Sequence, residues 1–244
     1  FKPTMPARGL IYDRNGVLLA DNVSAYRLEL IPEQVEDIDL ALKQLGAFIN
    51  ITPDDLKRFK RARNNSRRFL PITVKLRLDE QEVARFSINR HRFPGVEVVP
   101  YLTRRYLYND LFAHVIGYVA RLDAEDLKAM GDERYSVLSH TGKTGIERAY
   151  EEQLRGTIGY EEVETNARGR SLGVLKRHVS QAGTDLRLSL DLALQQATVE
   201  AFGTMTGSAV AVDPNTGEVL AMVSLPSFDT NLFINGISTV DYKA

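Results

Sequence analysis

The sequence predicts an α+β fold with mixed or antiparallel strands. Three observations carry that expectation. Short runs alternate apolar and polar residues, as half-buried strands do. Asn15-Gly16 and the Asp213-Pro214-Asn215-Thr216-Gly217 run join such segments in tight turns, which makes the joined strands antiparallel. Capped helical stripes gather between residues 39 and 89, apart from most of the strand-like segments.

The elements follow in order. Arg8 to Ala20 reads as strand, turn, strand, and Asn15-Gly16 supplies the positive φ of a two-residue turn. Tyr26 to Ile31 sets Tyr, Leu and Leu against Arg and Glu, so it is a strand with one wet face. Asp39 to Phe48 puts Leu40, Leu42, Leu45 and Phe48 on one helical stripe. Thr52-Pro53-Asp54-Asp55 starts a second helix: Thr52 caps, Pro53 suits the first helical position, and two acids face the positive dipole end. Phe69 to Leu76 reads as a strand carrying Pro71, and Asp79 to Asn89 as a capped helix with Val83 and Phe86 inward. Phe93-Pro94-Gly95 is a turn, and Val96 to Tyr101 a strand. Asp123 to Met130 reads as a short helix, and Gly142 to Arg155 as a glycine-led helical stretch. Tyr160 to Thr165 and Leu186 to Leu190 alternate like strands, with a Gly-, Arg- and Ser-rich loop and one short strand between them. Leu190 to Met205 reads as a long helix. Ser208 to Val212 and Glu218 to Ser224 form a hairpin that is apolar on both faces. Such a hairpin expects cover on both sides, and one helix supplies it. A second domain is therefore expected to begin near residue 184 and to be cut short. The chain as a whole reads as an excised piece of something longer.

Composition narrows the function. The chain has 244 residues, 43% apolar and 26% charged, which is globular composition and enough for a core. Lys plus Arg is 31 and Asp plus Glu is 32, so the balance of −1 argues against a dedicated nucleic-acid binder. No run approaches the ~20 apolar residues that span a bilayer. The absence of cysteine excludes disulfides, thiolate metal sites and a Cys nucleophile.

Most chemistry-bearing patterns have a structural reading. Asp13-Arg14-Asn15-Gly16 reads as a hairpin whose Asp and Arg pair with backbone or each other. Lys57 to Arg68 holds seven basic residues and no acid. It reads as a solvated helix face with Leu56, Phe59 and Ala62 buried behind it. The same patch also suits an anionic lipid surface or an acidic partner. Thr141-Gly142-Lys143-Thr144 ends like a phosphate-binding loop, but the pattern needs glycine where Val137 stands. His91, His114, His140 and His178 lack metal-ligand spacing. Spacing alone does not decide a Ser/His/Asp triad, but no Gly-x-Ser-x-Gly elbow occurs. Paired carboxylates such as Asp54/Asp55 and Glu161/Glu162 are expected on solvated or opposite faces, without an acid–base role. No cofactor and no metal is implied.

Several segments, in order, resemble class B penicillin-binding proteins. They are Arg8-Gly9-Leu10-Ile11-Tyr12-Asp13-Arg14-Asn15-Gly16, Arg104-Arg105-Tyr106, His114-Val115-Ile116-Gly117-Tyr118 and Gly142-Lys143-Thr144-Gly145-Ile146-Glu147. Gly159 to Val163, Asp191 to Gln196 and Asp213 to Ser224 continue the series. Arg92 to Val98 and Phe228 to Ile237 favour the elongation branch over its division paralogue.

The resemblance implies an elongated pedestal with a small helical head, followed by the first helix and hairpin of a truncated transpeptidase domain. Residues 1–183 would be the non-catalytic, dimerisation-type pedestal, with the head at about 32–100, and residues 184–244 the transpeptidase start. Arg8, Gly9, Asp13, Arg14, Gly16, Arg105, His114, Gly117, Gly142, Gly145 and Glu147 would be its structural motif. The family's whole protein is a serine peptidoglycan D,D-transpeptidase on the periplasmic side of the inner membrane, held there by one membrane helix. Its nucleophile lies three residues before a Lys, and no Lys here has Ser in that place. This chain is therefore expected not to be an enzyme by itself. Ser87-Ile88-Asn89 and Lys143-Thr144-Gly145 carry the letters of the family's other active-site motifs but fall in the pedestal. Phe1-Lys2-Pro3-Thr4-Met5 resembles part of the family's active-site stretch without its Ser, and is expected to be an unexplained edge of the chain without a catalytic role.

An MreC-like scaffold protein would dock at the head, through Leu42, Leu45, Phe48, Val83 and Phe86. In the same segment Leu40 and Ile88 are apolar too, and some of this set is expected to stay exposed. A RodA-like glycosyltransferase would approach the stalk base. Peptidoglycan would be met only through the catalytic domain. The alternatives are a basic-patch module for anionic ligands and a self-contained enzyme.

Overall fold

The structure, a computed structural model, describes residues 2–122, 126, 140–165, 171–234 and 236–237. Its strands and helices run β1 (Lys2–Thr4), β2 (Ile11–Tyr12), β3 (Leu18–Leu30), α1 (Ile38–Leu45), α2 (Pro53–Asn65), β4 (Ile72–Leu78), α3 (Glu80–Asn89) and β5 (Val96–Tyr106). They continue with α4 (Ala113–Ile116), β6 (Val119–Arg121), β7 (His140–Gly142), α5 (Gly145–Ala149), α6 (Glu151–Arg155), β8 (Gly159–Thr165) and β9 (Ser171–His178). The last are β10 (Leu186–Arg187), α7 (Leu192–Phe202), β11 (Gly207–Val212) and β12 (Val219–Leu225). The mixture of helix and sheet is the α+β class that the patterns indicate.

The chain divides into two compact units. One holds Phe1–Val23, Arg104–Val163 and Val174–Ala244, and the other holds Ser24–Thr103 and Glu164–Gly173. The expected head, residues 32–100, lies inside the second unit. Residues 184–244 belong to the first unit with the N-terminal residues, because Leu186 N donates to Leu10 O (2.8 Å) and Leu192 N to the Asp13 carboxylate (3.3 Å).

In the first unit β2 pairs parallel with β10 and antiparallel with β3. β1 pairs antiparallel with β8, Lys2 opposite Glu161 and Thr4 opposite Gly159. Residues 2–4 thus have a structural place, as the outer strand of the β1–β8–β9 sheet. The core of this unit gathers Ile11, Leu19, Tyr106, Phe112, Ile116, Leu154 and Leu190.

In the second unit β3 pairs with β4 from Tyr26–Leu78 to Leu30–Ile72. Helices α1, α2 and α3 close on a core that includes Leu28, Leu30, Leu45, Phe59, Val74 and Phe86. Each helix begins where its cap dictates. Asp37 accepts from Leu40 N (3.0 Å) at α1. Thr52 and Asp55 form a reciprocal box at α2, and Asp79 and Glu82 another at α3. Asp55, expected on a solvated face, is buried by that box and by its pairing with Arg58.

Several elements differ from the sequence reading, among them the following. β3 is one strand of 13 residues rather than two. The polar Asp21-Asn22 step reads as a break, yet Asp21 pairs with Arg105 and Asn22 Nδ2 donates to Arg8 O (2.6 Å), which holds the backbone extended. The helical stretch after Gly142 is interrupted at Tyr150. β9 runs for eight residues where one short strand was expected. β10 is only two residues long. Apart from Asp126, the expected helix at 123–130 lies outside the described residues, as do Val137 and residues 241–244.

Candidate functional site

The first unit contains a buried ion cluster built from four remote segments. The Glu147 side chain, on α5, is fully buried. Its Oε1 accepts from Arg104 Nε on β5 (2.7 Å) and from the Tyr106 hydroxyl (3.2 Å). Its Oε2 accepts from Arg8 Nε (2.7 Å). Arg8 also reaches Glu151 Oε2 (2.6 Å), and Arg104 Nη1 donates to Gly9 O (2.7 Å). Glu151 Oε2 accepts in turn from Gly142 N (2.9 Å), and the Tyr106 oxygen accepts from Val119 N (2.8 Å).

Two guanidiniums meet two carboxylates, so the cluster is charge-balanced. Burial alone would lower the Arg8 pKa, but Glu147 and Glu151 outweigh it and hold the group above its ordinary value. Burial pushes the Tyr106 hydroxyl well above its ordinary value, and the Glu147 charge adds to the shift. The Arg8 guanidinium is thus held charged and the Tyr106 hydroxyl held protonated. With its hydrogen bonds spent on joining remote segments, the arrangement braces the fold.

Other motif residues make separate contacts. Asp13 is fully buried, and its Oδ1 accepts from Asn15 N (2.8 Å) and Val17 N (2.7 Å), which closes the turn at Gly16. Gly16 adopts φ +84°, as that turn requires. Arg14 makes a long contact with Glu218 (3.4 Å). His114 Nε2 meets Pro226 O (3.2 Å), with the ring edge-on to Phe228. Gly117 ends α4 at φ +73°, and a Cβ there would lie 2.1 Å from Thr144 O. Gly145 starts α5.

One motif residue is reassigned. Arg105 lies on the wet face of β5 and pairs with Asp21, whereas its neighbour Arg104 is the buried partner of Glu147. Period-two alternation carries the signal, because Tyr106 faces inward and Arg104 shares its face. Sequence reasoning also missed Gln195. Its buried amide donates to Leu111 O (2.9 Å) and Met222 O (2.8 Å) and accepts from Met222 N (2.8 Å). It thereby ties α7 to β12.

The expected docking residues of the head are corrected. Leu45 and Phe86 are 0% and 1% exposed, and Leu42 is buried with them. Phe48 and Val83 are half-buried against the same core. Phe93 draws Phe48 and Phe86 inward, at ring distances of 5.9 and 6.2 Å. Of the apolar set expected on the head helices, Leu40 (51%) on α1 and Ile88 (77%) on α3 are exposed. Among the described residues no group of His, Cys, Asp or Glu is arranged to hold a metal, and no helix is long and apolar enough to cross a membrane.

The chain belongs to the penicillin-binding protein family, whose dimerisation-domain model matches residues 3–188. It is 46% identical to the peptidoglycan D,D-transpeptidase MrdA of Escherichia coli K12, an alignment covering 99% of this chain and 39% of that protein. It is 33% identical to penicillin-binding protein 3 of Bacillus subtilis, over 98% of this chain and 35% of that one. The solved complex of PBP2 and MreC from Helicobacter pylori superposes with a TM-score of 0.80 at 28% identity, over 99% of this chain and 45% of that one. The resemblance to elongation-type class B proteins therefore holds. The chain spans about two fifths of the length of the curated relatives named here.

Proposed function

We propose that this chain is the non-catalytic supporting and docking region of a peptidoglycan D,D-transpeptidase of the PBP2 type. It acts on the periplasmic side of the inner membrane, in cell-wall elongation and rod-shape maintenance. The observation that carries this reading is the charge-balanced cluster around Glu147. A catalytic cleft exposes its reactive groups, whereas this cluster buries them to lock remote segments together. The acylating serine is supplied by another part of the protein, since the sequence has no Ser-x-x-Lys. The family match ends at residue 188, which supports a boundary near residue 184 between support and transpeptidase.

The head docks an MreC-like scaffold protein, as the Helicobacter pylori relative is complexed with MreC. Exposed Leu40 and Ile88 offer apolar anchors for it. A RodA-like glycosyltransferase meets the stalk base, and peptidoglycan meets only the catalytic domain. Titration of the folded chain with the soluble part of an MreC-like protein tests the docking role. Saturable binding is expected, and no binding to a chain that melts cooperatively removes that role.

A further inference from the structure

We infer that the outer face of helix α2, with the loop that follows it, is an electrostatic docking surface for an anionic phospholipid bilayer. The inference is independent of the scaffold-docking role. From Leu56 to Leu78 the chain has nine basic residues and no acid. Arg58 is neutralised by Asp55, and Lys75 by Glu82. Lys57, Lys60, Arg61, Arg63, Arg67 and Arg68 are exposed, and none forms an ion pair with another described residue.

The helix geometry gathers these charges. Phe59 faces the core, so Lys57 and Arg61, four apart, sit on the ridge opposite, with Lys60 beside them. This face has no built recognition site. Its cations are solvated, without the buried partners that fix a fork on one phosphate. The aromatic residue of α2, Phe59, is fully buried and offers no base-stacking platform, which disfavours nucleic acid. Apart from exposed Asp54 in the first turn of α2, the face is cationic, without the interspersed signs that set register with a protein. A bilayer needs no register, only facing cations. Leu70, 44% exposed just after Arg67-Arg68-Phe69, adds an apolar side chain suited to the headgroup boundary.

The test is co-sedimentation of the chain with phosphatidylcholine vesicles, with and without phosphatidylglycerol. The expected result is retention on the anionic vesicles alone, and release by high salt. Lys57→Glu with Arg61→Glu should weaken retention about tenfold or more, since each facing cation is worth roughly fivefold. Arg67→Glu with Arg68→Glu, outside the helix, should do the same, both variants keeping the parent melting temperature. No retention on anionic vesicles at low salt overturns the inference. So does retention that neither variant changes. Binding of soluble polyphosphate or polyglutamate without vesicle retention overturns it in favour of another polyanion.

Discussion

Glu147 and Arg104, 43 positions apart in sequence, form an ion pair at 2.7 Å with side chains 0% and 2% exposed. Arg8, 139 positions from Glu147, completes the clamp. Burying charge is costly unless partners compensate, and here each charge has one. The cluster ties the N-terminal segment, β5 and α5 into one unit.

Removing the shared carboxylate should therefore be severe. Glu147→Gln leaves two guanidiniums facing one remaining acid and is expected to cost about 3–5 kcal/mol in a urea titration. Arg90→Ala breaks the exposed pair with Glu97 and should stay within about 0.5 kcal/mol.

Gly16 and Gly117 separate two kinds of glycine. Both have positive φ, but a Cβ at Gly16 meets nothing within 4 Å. Gly16→Ala should cost about 1–2 kcal/mol, the strain of left-handed backbone alone. Gly117→Ala adds the collision with Thr144 O and should cost clearly more, as paired thermal melts would read.

His140 sets a pH dependence. Burial is the main cause that lowers its pKa from 6.5 to about 4, while its Nε2–H donates to Ile234 O (2.8 Å) and partly offsets the shift. The unfolded chain takes up a proton below about pH 6.5 that the folded chain refuses until about pH 4. The stability contribution is complete above pH 6.5 and is lost as pH falls toward 4, a change of roughly 3 kcal/mol. His140→Gln should flatten urea midpoints across that window, and the wild-type ring should titrate near pH 4 by NMR.

The head should separate folding from docking. Phe86→Ala empties a buried position and is expected to cost about 3–5 kcal/mol. Leu40→Asp with Ile88→Asp changes exposed positions, so stability should hold. Affinity for an MreC-like protein should fall about fivefold or more. Equal loss of folding and binding in that variant would count against the docking surface.

Local chemistry made much of the fold legible. The turn at Asn15-Gly16, the cap at Thr52 and the cap at Asp79 depend on neighbours in sequence, and each stands where it was expected. Glu147, Arg8 and Gly142 were marked by family pattern, and the structure brings them together. Arg104 and Gln195 were not found, because their partners lie on remote segments and a polar residue gives no periodic apolar signal of its own. Leu45 and Phe86 were read as possible surface because an apolar stripe does not say how many neighbours cover it. Phe48 and Phe93 do that here.

The most direct measurement of the central claim is intact mass of the chain after exposure to a fluorescent penicillin. A supporting region without an acylating serine should keep its original mass, while the complete transpeptidase treated in parallel gains one acyl group. A stoichiometric adduct on a serine among these 244 residues would contradict the account.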